Sequence, residues 1–197
     1  MEMTKAEKRA AREKALGEKQ LAMPDKRYGC IYADPPWRFE PRSRETGLDR
    51  DASNHYPVMT LDAIKAMAAQ INGIAAPDCA LFLWATVPML PQAIAVMDAW
   101  GFLYKSNRVW TKAHIGLGFW FRSQHEHLLL GTRGNVPAPA MGTQPRSVIH
   151  TVGMLRRHSE KPAQFRDDIV AMFPTLPRIE LFARERVDGW DAWGNEV

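Results

Sequence analysis

From residue 28 onward, short unbroken apolar runs alternate with stretches whose apolar residues recur at helical spacing. YGCIYAD (28–34) is a run that stops at a charge and two prolines, which predicts a short buried strand delivering Asp34 to its carboxyl end. CALFLWAT (79–86) is a second run, of the kind a sheet covered on both faces requires. Between them Thr60 is expected to cap a helix running to about residue 70. After the second run Leu90, Ile94 and Met97 mark the apolar side of another helix, and Gly101 stands where it stops. FLYKSNRVWTK (102–112) and HEHLLLGTRG (125–134) read as further strands, separated by an aromatic loop with Ile115, Phe119 and Trp120. Ser159 is expected to cap a helix whose apolar face is Phe165, Ile169, Met172 and Phe173, and Pro174 to end it before a strand at RIELFAR (178–184).

Strand and helix thus alternate, which predicts an α/β sandwich with a mostly parallel sheet whose ligands gather at the carboxyl ends of the strands. The organisation expected is one domain over residues 28–197, preceded by a helical or disordered basic tail over 1–27. Residues 38–57 are polar and charged, without periodicity, and read as a long loop of the kind that usually carries function.

Composition narrows the class. With 46% hydrophobic residues among 197, the chain can bury one sizeable core. Cys30 and Cys79 each sit inside an apolar run, so neither a disulfide framework nor a zinc site is suggested, and no metal is expected. His125 and His127 alternate along a strand without a third ligand at a recognisable spacing. No apolar stretch reaches bilayer length and no signal segment is evident, so a cytoplasmic protein of a bacterial or phage-infected cell, without membrane contact, is expected. The formal charge is +4; residues 1–27 hold eight Lys or Arg against five Asp or Glu, so the tail carries +3 of it. A purely structural DNA-binding module would need a concentrated basic face, which the nearly neutral folded part lacks.

The tetrapeptide Asp34-Pro35-Pro36-Trp37 carries the chemistry. An exocyclic adenine amine is a poor nucleophile because its lone pair is delocalised into the ring, and a site activates it by drawing its hydrogens into bonds. Asp34 offers a carboxylate, the Pro35 carbonyl offers an acceptor held by the fixed φ of adjacent prolines, and Trp37 offers a face for stacking. The competing reading is a tight Asp-Pro-Pro turn with Trp37 packed beneath it. Such chemistry on a duplex requires the base to be flipped out of the stack.

Seven blocks in one order, YADPPW, NHYPVMT, LFLWAT, GFWFRSQHEHLLLGTRGN, HSEKP, RIELFAR and GWDAWGNE, give the chain a resemblance to the MT-A-seventy-like family of S-adenosylmethionine-dependent adenine N6-methyltransferases, in its small bacterial and phage form. The resemblance spans about residues 28–197 and implies a Rossmann-like methyltransferase sandwich of permuted order, with the catalytic motif ahead of the donor-binding strand. It implies that Asp34, Pro35, Pro36 and Trp37 bind the target amine, and that Tyr56, Glu126, His127 and Lys161 lie against the substrate. It further implies a donor site for S-adenosylmethionine formed by Tyr32, Asp34, Lys161, Glu180, Arg184, Asn195 and Glu196. Some relatives carry glutamine where Glu196 stands, and the Arg184–Trp190 spacing is shorter here than in the messenger-RNA enzyme, which leaves Arg186 unassigned.

The substrate class expected is DNA, because a compact chain lacking added RNA-binding modules looks most like the family's bacterial and phage members. RNA is the alternative within the same chemistry, and a catalytically silent nucleic-acid-binding subunit is the alternative outside it. The partners expected are therefore nucleic acid and, as a candidate assembly, a second copy in a homodimer.

Overall fold

A computed structural model describes residues 7–8, 23–38, 58–116, 118, 120–150 and 160–197. Seven strands form one sheet: β1 (Tyr28–Ala33), β2 (Ala75–Thr86), β3 (Leu103–Thr111), β4 (His125–Arg133), β5 (Val148–His150), β6 (Arg178–Leu181) and β7 (Asp191–Trp193). Their order across the sheet is β5-β3-β4-β2-β1-β6-β7. Four of the neighbouring pairs are parallel, and β4 runs antiparallel to both its neighbours, β2 and β3. The sheet is mixed and mostly parallel, the α/β sandwich that the alternation predicts, and it has the Rossmann-like arrangement that the resemblance implies.

Period-two alternation sorts the central strands onto two faces. Ile31, Ala33, Leu81, Leu83 and Ala85 pack beneath three helices, α1 (Leu61–Ala66), α2 (Ala68–Ile74) and α3 (Leu90–Ala99), through Ile64, Ile71, Val96, Met97 and Trp100. Cys30, Tyr32, Ala80, Phe82 and Trp84 pack beneath α4 (Gln164–Met172) through Phe165, Ile169 and the following Phe173. Helices on both faces remove both sides of β1 and β2 from water, which is why these strands read as continuous apolar runs rather than alternating ones. Trp100 Nε1 donates to the Ile64 carbonyl at 2.9 Å, tying the end of α3 to α1. Gly101, at φ +81, then turns the chain out of α3, a left-handed position that glycine adopts without penalty.

Several boundaries differ from those expected. The Thr60 side chain does cap α1, accepting from the Ala63 N–H at 3.2 Å, but the helical stretch breaks at Met67 and continues as α2 to Ile74. β2 begins at Ala75, four residues before the apolar run, because pairing with β1 starts at Tyr28↔Ala75. Ala163, not Ser159, precedes α4, and no side chain caps that end. Ser159 itself lies outside the described residues. The expected strand 178–184 ends at Leu181, where Phe182 takes φ +60 and redirects the chain. β5 and β7, three residues each, are too short for periodicity to reveal.

β1 is the point at which the sheet's connections diverge. The chain leaves β1 toward β2 by way of α1 and α2 on one face, and reaches β6 on β1's other side by way of α4 on the opposite face. A crevice at the carboxyl end of such a strand is where ligands bind in open α/β sheets.

Candidate active site

Asp34 follows directly on β1, and its backbone N–H bonds the Leu181 carbonyl at 3.5 Å. The next residues are held by their own turn and by the chain that returns after the loop. Trp37 N–H donates to the Pro35 carbonyl at 2.8 Å, Met59 N–H donates to the Pro36 carbonyl at 2.8 Å, and Trp37 and Met59 form a parallel bridge. Trp37 is 8% exposed, and its Nε1 donates to the Trp84 carbonyl at 3.0 Å. The indole therefore anchors the motif to the end of β2, the packing alternative to an open stacking face. Prolines at 35 and 36 fix φ through the turn, so Asp34 is held between two rigid attachments.

Lys161, just before α4, brings its Nζ to 2.6 Å from Asp34 Oδ2 and 3.4 Å from Glu126 Oε2. Glu126, the second residue of β4, is the buried charged residue of the site; its Oε1 is ion-paired with Lys112 just beyond β3. β4 runs antiparallel, so its first residues meet the ends of β2 and β3, with Thr86↔Glu126 and Trp110↔Glu126 as paired positions. Four residues from four segments thus form an alternating chain of charge, Asp34–Lys161–Glu126–Lys112. Burial alone would raise the Glu126 carboxyl, but Lys161 and Lys112 outweigh it and hold the group below its ordinary range. Burial likewise works to lower Lys161, and the Asp34 and Glu126 charges reverse the sign, keeping the ammonium protonated. Lys161 Nζ also lies 5.1 Å from the centre of the Trp84 ring, on its face.

A second group lines the ends of β6 and β7. Glu180 Oε2 accepts from Arg166 Nη1 at 2.9 Å, and Arg166 Nη2 reaches Glu185 at 2.7 Å. Burial raises the Glu180 carboxyl above its usual value, and the Arg166 bond only partly offsets this. Phe182 in the left-handed region packs edge-on against Trp193 at 5.6 Å, and Ala183 N–H donates to the Trp193 carbonyl at 3.0 Å. A non-glycine residue held at positive φ costs about 1–2 kcal/mol and persists where its surroundings fix it. Gly194 then passes so close that an added Cβ would lie 2.4 Å from the Ala183 carbonyl oxygen. The two chain ends are thereby brought side by side, with Arg184 Nε 3.9 Å from Glu196 Oε1 and Asn195 and Glu196 exposed.

The expected residues therefore separate into three sets. Asp34, Glu126 and Lys161 meet directly, and Glu180, Arg184, Asn195 and Glu196 line the adjoining strand ends. Tyr32 lies beneath the edge, 2% exposed, its hydroxyl accepting from Trp84 Nε1 at 2.7 Å. His127 projects to the opposite face of β4 from Glu126; its ring meets His125 edge-on at 5.0 Å, and its Nδ1 is buried without a hydrogen-bond partner. Burial, then the neighbouring His125, lowers its pKa, favouring the neutral ring. Tyr56 lies outside the described residues. Two participants escaped the sequence reading, Lys112 and Arg166. The buried carboxylates each needed a cation, and pairing 102–112 with 125–134 as a hairpin brings the first of these to Glu126. Among the described residues no group of three or more His, Cys, Asp or Glu could hold a metal ion, and no helix is long and apolar enough to cross a membrane.

The profile of a protein family described as MT-A70 matches residues 28–196. A type II methyltransferase, M.MunI, of a Mycoplasma species is 36% identical over 190 residues, which cover 89% of this chain and 80% of that protein. The human N(6)-adenosine-methyltransferase catalytic subunit METTL3 is 24% identical over 181 residues, covering 87% of this chain but 28% of the relative. The N6-methyladenosine RNA methyltransferase MTA1 of Cryphonectria parasitica is 28% identical over 185 residues, covering 86% of this chain and 52% of its own length.

Proposed function

The chain belongs to the MT-A70 family, and on that premise we propose that it transfers a methyl group from S-adenosylmethionine to the N6 amine of adenine in DNA. The observation that carries the reading is the Asp34–Lys161–Glu126 cluster at the carboxyl end of the central strand. It presents fixed charge where an incoming amine needs acceptors.

The residues along the edge suit the donor's chemistry. Its ribose hydroxyls require acceptors, which the exposed Asn195 and Glu196 and the nearby Glu180 supply; its carboxylate requires a cation, which Arg184 supplies. The close approach at Gly194 keeps those groups in register. When bound, S-adenosylmethionine supplies an electrophilic methyl group on a sulfonium.

Asp34 binds the amine. Its Oδ2 is engaged by Lys161, and the remaining acceptor capacity of the carboxylate takes an N6 hydrogen. The Pro35 carbonyl already accepts from Trp37 N–H through one lone pair, and its second lone pair takes the other hydrogen. Both bonds favour the tetrahedral nitrogen that attacks. Asp34 would relay to water the proton that N6 loses on taking the methyl group from the donor's sulfonium. Lys161 keeps the Asp34 carboxylate aimed, Glu126 and Lys112 keep Lys161 in position, and Trp37 and Tyr32 brace the motif from within the core. Orientation and fixed electrostatics supply the rate, without a covalent intermediate. The target adenine enters from a single strand or by flipping out of a duplex.

DNA is favoured over RNA because the chain covers four fifths of a type II methyltransferase at 36% identity, against 24% and 28% for the relatives named for adenosine and for RNA. The RNA reading draws on the human and fungal relatives, of which the chain covers 28% and 52%. Transfer of labelled methyl to matched single- and double-stranded DNA and RNA, with digestion to nucleosides, decides between them. N6-methyladenine in DNA, lost in Asp34→Ala, is the expected outcome. Product in RNA alone overturns the substrate class, and transfer to neither polymer by a folded, donor-binding protein overturns the reaction.

A further inference from the structure

The two limbs of the chain between β3 and β4 stay paired beyond the sheet. Lys112 N–H donates to the Gln124 carbonyl at 2.8 Å, and Gly116 N–H donates to the Ser123 carbonyl at 2.7 Å. Two glycines permit this narrowness: an added Cβ would lie 2.6 Å from the Ser123 carbonyl oxygen at Gly116 and 2.0 Å from the Phe121 carbonyl oxygen at Gly118. The result is a ribbon that prolongs the β3–β4 hairpin past the carboxyl edge. At its far end Trp120 is 86% exposed and Phe121 89% exposed, and Ile115 stands 68% exposed on the facing limb. The core takes nearly all the other large aromatics of the described residues, so these two rings are left in water by the same fold that buries Trp84, Trp100 and Trp110.

We propose that this ribbon is a stacking wedge, whose Trp120 and Phe121 rings lie against or between bases of the nucleic-acid strand that delivers the target adenine. The inference rests on the functional reading above. Its base is the pair of strands that carry Lys112 and Glu126 into the site, so a strand threading the Asp34 edge runs past the ribbon. Exposed apolar side chains at such a position are the usual means of unstacking a base step, and aromatic faces accept any base. Charge selects this occupant over a second copy. Residues 113–124 include His114 and Arg122 and no Asp or Glu. A two-fold contact through the ribbon would set Arg122 of each copy against a surface of its own sign, whereas a phosphate backbone complements it.

The test is fluorescence anisotropy of a labelled adenine-containing DNA oligonucleotide, single-stranded and duplex, with S-adenosylhomocysteine present, across a salt series. Trp120→Ala combined with Phe121→Ala is expected to weaken binding at least about tenfold for the loss of base stacking, with an unchanged slope of log affinity against log salt. Arg122→Ala is expected to lower that slope by about one. Calorimetric binding of S-adenosylhomocysteine at the wild-type affinity identifies a folded double variant. Wild-type oligonucleotide affinity in that variant overturns the wedge while leaving the methyltransferase reading intact. A sedimentation shift from dimer to monomer with unchanged affinity per protomer overturns it in favour of a second copy. A wild-type protein that binds the donor but no polynucleotide overturns the functional reading, and the wedge with it.

Discussion

Lys161 Nζ lies 2.6 Å from Asp34 Oδ2, joining residues 127 apart in sequence, and the same ammonium is 3.4 Å from Glu126 Oε2. Lys161 belongs to the segment entering α4, so the residue that orients the Asp34 carboxylate arrives from the helix covering the other face of the sheet. One cation thereby fixes the position of two carboxylates contributed by β1 and β4.

Asp34→Asn keeps the shape of the side chain and removes its charge. The carboxamide is a weaker acceptor for the N6 hydrogens and takes no proton, so single-turnover methyl transfer is expected to fall by ~10²–10³-fold, as when one preorganised polar group is removed from a transition state. A rate within tenfold of wild type would remove Asp34 from the chemistry.

Lys161→Met leaves Glu126, 6% exposed, with Lys112 as its remaining cation, and leaves Asp34 without its partner. Breaking a buried pair from one side costs about 3–5 kcal/mol at neutral pH. The wild-type Glu126 carboxyl is held below its ordinary 4.5, so its contribution is present above that value and is lost as pH falls through the folded pKa. In the variant the uncompensated charge is relieved by protonation. Guanidinium midpoints at pH 7 and pH 4 should therefore show a gap between the two proteins that narrows in acid; a constant gap would assign the loss to packing alone.

Cys30 and Cys79 are both fully buried, and burial pushes each thiol up to about 12. The thiolate is the reactive form, so a disulfide reagent at pH 8 should titrate neither group in the native protein and both in guanidinium. Stoichiometric labelling of the native state would contradict the packing of β1 against β2.

Gly194→Ala forces a methyl group to within 2.4 Å of the Ala183 carbonyl oxygen and 2.7 Å of its nitrogen, atoms of backbone that cannot rotate aside. The ends of β6 and β7 must separate, moving Asn195 and Glu196 from Arg184. Overpacking of this kind costs about 1–3 kcal/mol. Calorimetric affinity for S-adenosylhomocysteine is expected to drop more than tenfold, while wild-type affinity would show that these ends do not form the donor site.

Much of this architecture could be read from the apolar runs, because strands buried on both faces leave a signal that needs no partner to interpret. Asp34 at the end of such a strand followed from the run stopping there. The antiparallel setting of β4 did not, since 125–134 carries the same apolar pattern whichever way it pairs. Nor did the ends of β6 and β7: Phe182 at positive φ is an aromatic residue where local preference favours strand, and only its packing on Trp193 explains it. The burial of Trp37 depended on the Trp84 carbonyl, a backbone atom no side-chain pattern reports.

Arg166 tests whether the second ion pair tunes the donor site or merely fills space. Glu180 is raised by burial, against the pull of Arg166, so its folded carboxyl already releases its proton less readily than an exposed one. A raised carboxyl favours the folded state below the unfolded pKa, and that contribution disappears as pH climbs through the folded value. Arg166→Met removes the opposing pull and lifts Glu180 further, so the variant should lose stability relative to wild type as pH rises from 5 to 8. If charged Glu180 accepts a donor hydroxyl, affinity for S-adenosylhomocysteine in both proteins falls as pH drops through its folded pKa, and the midpoint lies higher in the variant. Calorimetry over that pH range separates the outcomes, since a structural role alone shifts the denaturation profile and leaves the affinity midpoint where it was.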